Sequence, residues 1–255
     1  MEDLDTPRVV PGCADGILRT LESFGLTWDG EVVWQSRRTE LYRAALVDLQ
    51  SKGLTFECSC PRRLRLENED RGYPGTCRNK PAPLVTAPHS TATRFRIDDD
   101  TVTLEDRFQG RCELPVRSMG DVVIRRRDGI FAYQLAVVVD DADQGITDVV
   151  RGADLLSSTA WQVCLQRALN VISPTYAHLP VIVEPDGTKL SKTRRSIALD
   201  RARITPLLLS ALQLLGQRCD PSLEFEAPES ILRRAVENWD PVGLHAIRSR
   251  FASPA

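Results

Sequence analysis

Apolar residues recur along this chain with two different spacings, and the switches between them divide it into segments. Ile17, Leu18, Leu21 and Phe24 fall at helical intervals between residues 13 and 25, and Gly25 supplies a stop. A second helix is predicted from Thr39, a capping residue, to about Gln50. Leu41, Ala45, Leu46 and Leu49 form its apolar stripe, and Gly53 ends it. The chain then reads as extended over residues 54–60. Residues 61–92 are rich in Arg, Pro, Gly and Asn, and two short extended stretches follow around 94–97 and 101–104. This middle region has the look of an insertion with its own turns and little core.

Apolar character returns at Asp121. Val122-Val123-Ile124 is strand-like, Asp128-Gly129 is a hairpin signal, and residues 130–139 are nearly continuously apolar. Val149-Val150 ends a short strand just before Arg151-Gly152. Residues 154–170 read as a helix, and 179–183 as a buried strand that runs into the turn signal Pro185-Asp186-Gly187. Helices are expected over the last ~50 residues, with apolar faces at 207–215 and 231–236. Strands alternating with helices predict an α/β fold with a mostly parallel sheet. No internal repeat is visible.

Length and composition narrow the function classes. A chain of 255 residues can bury a large core, as one domain with an insertion or as two domains. Its 42% apolar and 27% charged residues are ordinary for a soluble protein, and no apolar run is long enough to span a bilayer. The acidic N-terminal stretch carries no signal-peptide pattern. Seven cysteines, an odd number, point to thiols rather than to a disulfide framework, and together these features assign the chain to the cytoplasm. A net charge of −2 excludes a generally basic nucleic-acid coat. Local clusters such as Arg62-Arg63, Arg125-Arg126-Arg127, Arg194-Arg195 and Arg201-x-Arg203 can still meet phosphates if they share a face.

Four constellations carry candidate chemistry. The chain uses 29 arginines and only four lysines, yet two lysines share the window Lys189-Leu190-Ser191-Lys192. Lysine is a compact point charge that suits phosphate, so this loop could neutralise a polyphosphate; a solvated basic turn is the plain alternative. Cys58-x-Cys60 with Tyr73-x-x-x-Cys77 offers three thiolates and a phenol for a tetrahedral zinc. Glu57, His89 or water are rival fourth ligands, and three free thiols are the alternative. The scarcity of apolar residues there favours a metal staple. Polar groups next to apolar segments mark the crevice of an open parallel sheet, which singles out Tyr133, Asp140-Asp141 and Arg151. Arg151 could clamp a carboxylate and Tyr133 bond an amino group; an internal salt bridge from Arg151 to Asp140, Asp141 or Asp154 is the alternative. Lastly, Glu2 lies in the acidic stretch Glu2-Asp3-Leu4-Asp5 and could receive an α-ammonium if that stretch lines a pocket.

In order and spacing these stretches resemble the catalytic half of the class I glutamyl-tRNA synthetase family, and within it the truncated glutamyl-Q tRNA(Asp) branch. The resemblance rests on Glu2–Arg8, Cys58-x-Cys60 with Tyr73-x-x-x-Cys77, Phe131–Ala136 with Asp140-Asp141 and residues 147–154, and the Lys189–Lys192 loop, which is similar to the class I "KMSKS" loop. It implies a Rossmann-like, mostly parallel sheet with a zinc-containing insertion and C-terminal helices. Residues 1–53 would be the first part of the catalytic domain, 54–120 the insertion, 121–192 the second part, and 193–255 a helical region. Activation of glutamate by ATP and Mg²⁺ would be followed by transfer to the queuosine base in the anticodon loop of tRNA(Asp). Glu2, Tyr133 and Arg151 would hold glutamate; Lys189, Ser191 and Lys192 would bind ATP, with both lysines catalytic. Cys58, Cys60, Tyr73 and Cys77 would hold a structural zinc. A monomer is expected, with no membrane partner. The short stretch after residue 192 leaves no room for a large anticodon-binding region, which favours the modifying branch over a truncated glutamyl-tRNA synthetase.

The resemblance also implies an opening strand, a "HIGH"-type signature and a first glutamate-contacting arginine. None of these stands in the sequence; they are expected just before Met1, in a product starting roughly 40 residues earlier. On that expectation the 255-residue chain forms adenylate weakly or not at all, and exposes a sheet edge. A zinc-stapled RNA-binding remnant without catalysis, and a nucleotidyltransferase of the same superfamily, are the rival readings.

Overall fold

The computed structural model describes residues 1–61, 72–81, 90–184, 187, 189 and 199–251. Two helices come first: α1 (Cys13–Ser23) and α2 (Thr39–Ser51). Buried residues are lacking within α1, where Ile17 is exposed, and only Phe24 just beyond it is buried. The inward face of α2 is Tyr42, Leu46 and Leu49, whereas Leu41 is exposed. The expected stripe is thus rotated by one residue. A tyrosine can enter the core once its hydroxyl has a partner, and Tyr42 donates to Asp140 at 2.9 Å. Thr39 does not cap this helix. Arg38 occupies the N-cap position without a side-chain cap, since a guanidinium has no acceptor for the helix N–H groups; it pairs instead with Asp140 and Asp143.

The chain continues through β1 (Thr55–Cys58), β2 (Ala92–Phe95), β3 (Val102–Asp106), β4 (Gly110–Leu114), a short α3 (Val116–Met119) and β5 (Val122–Arg125). Next come α4 (Tyr133–Asp143), β6 (Asp148–Gly152), α5 (Leu156–Leu169), β7 (Thr175–Leu179) and β8 (Val181–Val183). The last elements are α6 (Ile204–Leu214), α7 (Pro228–Glu237) and β9 (Ser249–Phe251). The apolar run 130–139 becomes a brief bridge at Phe131 and then α4, not one extended segment. The strand expected at 179–183 is split at Pro180, which has no N–H for a ladder: Val181–Val183 form β8, and Leu179 ends β7, which lies upstream.

Three sheets form among the described residues. β1, β2 and β5 make an antiparallel sheet, and β8 pairs with β9 in parallel. The central sheet has the order β4-β3-β7-β6. β6 runs parallel to β7 from Asp148↔Thr175 to Gly152↔Leu179, and β7 runs parallel to β3 at Asp106↔Tyr176. β6 is an open edge, where Val150 is 59% exposed. The main core joins α2, α4 and α5 to these strands through Tyr42, Leu49, Leu135, Val138, Leu165 and Tyr176. A separate small cluster holds Phe56, Cys58 and Cys77, and a third, of Leu212, Leu223 and Ile231, ties the C-terminal helices together. Within α7, Ile231 is buried but Val236 faces solvent. Among the described residues, no helix is long and apolar enough to cross a membrane.

Candidate active site

Parallel pairing of β6 with β7 sets Arg151 opposite His178. Neighbouring residues in register project to the same face of a sheet, so the two side chains rise together. Above that face lies α5, whose Thr159 and Gln162 are three residues apart and therefore share one helix face. The first residue of α4 is Tyr133. These elements converge on the Arg151 guanidinium. Its Nε donates to His178 Nε2 at 3.3 Å, and Nη2 donates to Thr159 Oγ1 at 2.7 Å and to Gln162 Oε1 at 2.6 Å. Nη1 donates to the Tyr133 hydroxyl at 3.3 Å. Gln162 passes the chain on to Gln134, and Gln134 to Ser158.

Neutral groups, rather than carboxylates, therefore contact Arg151. Of the acids weighed as salt-bridge partners, Asp140 is held by Arg38, Gln35 and Tyr42, and Asp154 pairs with Lys189. Asp141 remains within electrostatic reach. Burial pushes its carboxyl up to about 6, against the pull of Arg151 and with the repulsion of Asp140 and Glu2. Burial also raises the Tyr133 phenol, opposed by Arg151. Glu2 is exposed, and its charge is felt by both Tyr133 and Asp141. The stretch that carries it is anchored: Asp3 accepts from the Ser36 backbone and hydroxyl at 2.8 and 2.6 Å, and Asp5 pairs with Arg126 at 3.0 Å. Glu2, Tyr133, Asp141 and Arg151 thus lie within electrostatic reach of one another, on the N-terminal loop, α4 and β6.

Behind Arg151 lies a fully buried pair. His178 Nδ1 is 2.6 Å from Asp106 Oδ2, and neither side chain is exposed. Asp106 also accepts the backbone N–H groups of Phe108, Gln109 and His178. Burial disfavours the Asp106 charge, but these donors hold its carboxyl below the usual range. Burial drives the His178 imidazole below its ordinary value, only partly offset by Asp106. Arg151 Nε–H points at Nε2, and the Thr159 hydroxyl lies 3.0 Å from the same atom, so Nε2 is the acceptor of a neutral ring whose proton is on Nδ1. Sequence reading missed His178, Asp106, Thr159 and Gln162. A histidine in a short alternating strand was the available signal, but which residue it faces depends on register between distant segments.

The second constellation also assembles. β1 delivers Cys58, the chain beyond it delivers Cys60, and the turn after Tyr73-Pro74-Gly75 delivers Cys77. The three sulfurs lie within 4.8 Å of one another. Cys60 Sγ is 3.5 Å from Cys77 Sγ, and the Tyr73 hydroxyl is 3.5 Å from Cys58 Sγ and 3.9 Å from Cys60 Sγ. A tetrahedral ion with bonds of about 2.0–2.3 Å has ligand–ligand edges of about 3.3–3.8 Å, so these groups could hold a metal after small shifts. Burial works against a thiolate at Cys77, yet hydrogen bonds led by the Ser59 backbone N–H hold it down at about 7. Tyr73 moves the other way: burial and the Cys58 sulfur push its phenol above the usual range, and a bound cation is what lowers such a group. Of the rival ligands, Glu57 is engaged by Thr91 and Thr93, and His89 lies outside the described residues.

A groove of about 870 Å³ runs from Cys58, Cys60 and Tyr73 past Arg94, Arg126 and Arg127 to Tyr133 and Gln134. Lys189 forms a bridge with Val183 and an ion pair with Asp154, just beyond β6. Ser191 and Lys192 lie outside the described residues.

Residues 1–216 match the model of a family described as tRNA synthetases class I (E and Q), catalytic domain. The chain is 50% identical over 242 residues to a glutamyl-Q tRNA(Asp) synthetase of Pseudomonas entomophila, covering 94% of this chain and 80% of that protein. It is 48% identical over 247 residues to one of Dechloromonas aromatica, covering 94% and 81%. Its fold is like that of a glutamate tRNA ligase from Elizabethkingia meningosepticum, with a TM-score of 0.73 at 23% identity over 99% of this chain and 59% of that longer one. A sheet with α4 and α5 against it, the Arg151–Tyr133 pair at its edge, and half-identical relatives along nearly the whole length agree: the chain belongs to the class I tRNA synthetases (E and Q), among the glutamyl-Q tRNA(Asp) synthetases.

Proposed function

We propose that this chain is the ligase that activates glutamate with ATP and Mg²⁺ and transfers it to the queuosine base in the anticodon loop of tRNA(Asp). The observation that carries the reading is the Arg151 guanidinium, turned toward the Tyr133 hydroxyl with Glu2 and Asp141 nearby. An arginine and a phenol are donors for a carboxylate, and the two acids suit an ammonium, which together describe an acidic amino acid. In this reading Arg151 and Tyr133 receive a glutamate carboxylate and Glu2 the α-ammonium. The α-carboxylate oxygen attacks the α-phosphorus of ATP, a P–O bond forms to give glutamyl-adenylate, and pyrophosphate leaves. Lys189, Ser191 and Lys192 meet the phosphates, and the lysines stabilise the charge that builds on the leaving group. A nucleophile on the queuosine base then attacks the glutamyl carbonyl carbon, and AMP leaves.

Cys58, Cys60, Tyr73 and Cys77 hold a structural zinc in this reading, supported by their mutual spacing and by the meagre apolar cluster around them. The metal fixes the wall of the groove, and no step of the chemistry runs through it. Domain limits at residues 53, 120 and 192, a cytoplasmic location and a monomeric state belong to the same proposal. ATP-dependent transfer of labelled glutamate to tRNA(Asp) with and without queuosine tests it. Label is expected only on the queuosine-containing tRNA; acceptance by queuosine-free tRNA(Glu) overturns the assignment.

A further inference from the structure

Arg151 has five N–H groups, and the structure accounts for where most of them go. Nε is taken by His178, and both Nη2 protons are taken by Thr159 and Gln162. Tyr133, which lines the groove, takes one Nη1 proton, which leaves the second Nη1 proton and the Tyr133 O–H as the donors these contacts do not use. The guanidinium plane lies against the Tyr176 ring, 5.4 Å from its centroid. Such a group has no rotational freedom left, and its orientation is set from behind.

We propose that His178, kept in a single tautomer by Asp106, is the positioning residue that turns the Arg151 fork toward the substrate carboxylate. The inference rests on the reading of Arg151 as the glutamate clamp. Only a neutral imidazole with its proton on Nδ1 presents an acceptor at Nε2, and Asp106 selects that form through its 2.6 Å contact. Because Arg151 and His178 are opposed in the β6–β7 ladder, the contact is built into the sheet and does not depend on a loop. A carboxylate matches a receptor made of one Nη1–H and the Tyr133 O–H. A carboxamide sets its own N–H₂ against one of these donors, so the same orientation separates glutamate from glutamine.

The test uses the full chain and calorimetric titration with L-glutamate and with L-glutamine. His178→Asn keeps a donor for Asp106 at the Nδ1 position but cannot reach Arg151, whereas His178→Gln carries an acceptor near the Nε2 position. The Asn variant is expected to bind glutamate about tenfold more weakly and to lose preference over glutamine, as for the loss of one hydrogen bond to a charged group. The Gln variant stays within about threefold of the parent. Equal behaviour of the two overturns the inference. Thr159→Val, a near-isostere that removes the Nη2 acceptor, is expected to shift binding the same way; no shift counts against the proposal even if a His178 variant fails to fold. Slow exchange of the Arg151 Nε–H in ¹⁵N spectra of the parent chain is a further expectation, and rapid exchange contradicts it. Arg151→Ala keeps the two readings apart. Loss of binding in Arg151→Ala with identical His178 variants sinks only the positioning role, while unchanged binding in Arg151→Ala sinks the clamp itself.

Discussion

Asp141 carries a carboxyl whose surroundings disfavour its charge. Burial pushes it up to about 6, while Arg151 pulls it down and Asp140 and Glu2 push it further up. An unfolded aspartate titrates near 3.9, so the native group takes up its proton first as pH falls. Above about pH 6 both states are ionised and the native state carries the full cost. Between about 6 and 4 that cost is relieved, and below both values it is gone. Asp141→Asn is therefore expected to stabilise the fold at pH 8, on the order of 1 kcal/mol after allowance for the solvent that still reaches this half-buried group. The gain shrinks through pH 6 and vanishes near pH 4. Urea titrations across that range measure it, and a gain of equal size at both ends contradicts the account. Asp140, its neighbour, is the opposite case. It is buried, yet it accepts from Gln35, Arg38 and Tyr42, so its charge is fully used. Tyr42→Phe should cost about 1.5–3 kcal/mol, the worth of a hydrogen bond to a charged group. Asp140→Ala should cost more, about 3–5 kcal/mol, since it leaves the buried Gln35 amide and Tyr42 hydroxyl without their acceptor and Arg38 with Asp143 alone as an ion-pair partner.

The elements meet through close backbone approaches as well as side chains. Gly72 lies against the Met119 carbonyl, and Gly120, with φ at +75°, lies against the Tyr73 backbone; a Cβ at Gly120 would sit 2.6 Å from the Tyr73 oxygen. Gly120 also accepts from the Trp161 indole at 3.0 Å, which links α5 to the segment bearing Tyr73. Gly120→Ala therefore strains the backbone and displaces Tyr73 together. Stability should fall by more than about 1 kcal/mol and, with the proposed zinc bound, the metal should be released faster to a colorimetric chelator. A variant that melts lower but keeps its metal as firmly speaks against Tyr73 as a ligand. This junction also marks what the sequence makes legible. α2 and α5 were readable because a 3.6-residue period ends at recognisable stops. The cysteine cluster was readable because its spacing is local. The rotation of α2 onto Tyr42, the split of the strand at Pro180 and the facing of Arg151 by His178 all depend on partners far along the chain. The proposal of glutamate as the ligand of Arg151 rests on resemblance, since an arginine after a strand is equally suited to an internal ion pair.

At the scale of the whole molecule, apolar burial is unevenly distributed. The main core runs continuously through α2, α4, α5 and the central strands, with many side chains fully buried. The β1–β2–β5 sheet shares some of it through Phe95, Val122 and Ile124, but its outer end rests on the small cluster of Phe56, Cys58 and Cys77, with Cys60 and Tyr73 packed against it. Stacking adds to this end: Phe56 on Tyr73 with centroids 6.1 Å apart, and the Arg94 guanidinium 3.8 Å above the Tyr73 ring. Arg78 adds ion pairs to Asp98 and to the buried Asp121. Contacts of this kind orient a segment, but each contributes little where solvent reaches it. Among the described residues, the cysteine cluster is the place where a single bound ion would replace a missing core, because binding free energy at such a site is folding free energy. Chelation is therefore expected to loosen the molecule from this end inward. Hydrogen exchange should accelerate by at least about tenfold over Thr55–Cys58 and residues 72–81, while α2, α4 and α5 keep their protection. On the proposed function, glutamate binding rests on Arg151, His178 and α5, which stand on the main core, so it should survive chelation. Simultaneous loss of protection throughout the chain would instead make the metal a staple of the whole fold and the two cores a single cooperative unit.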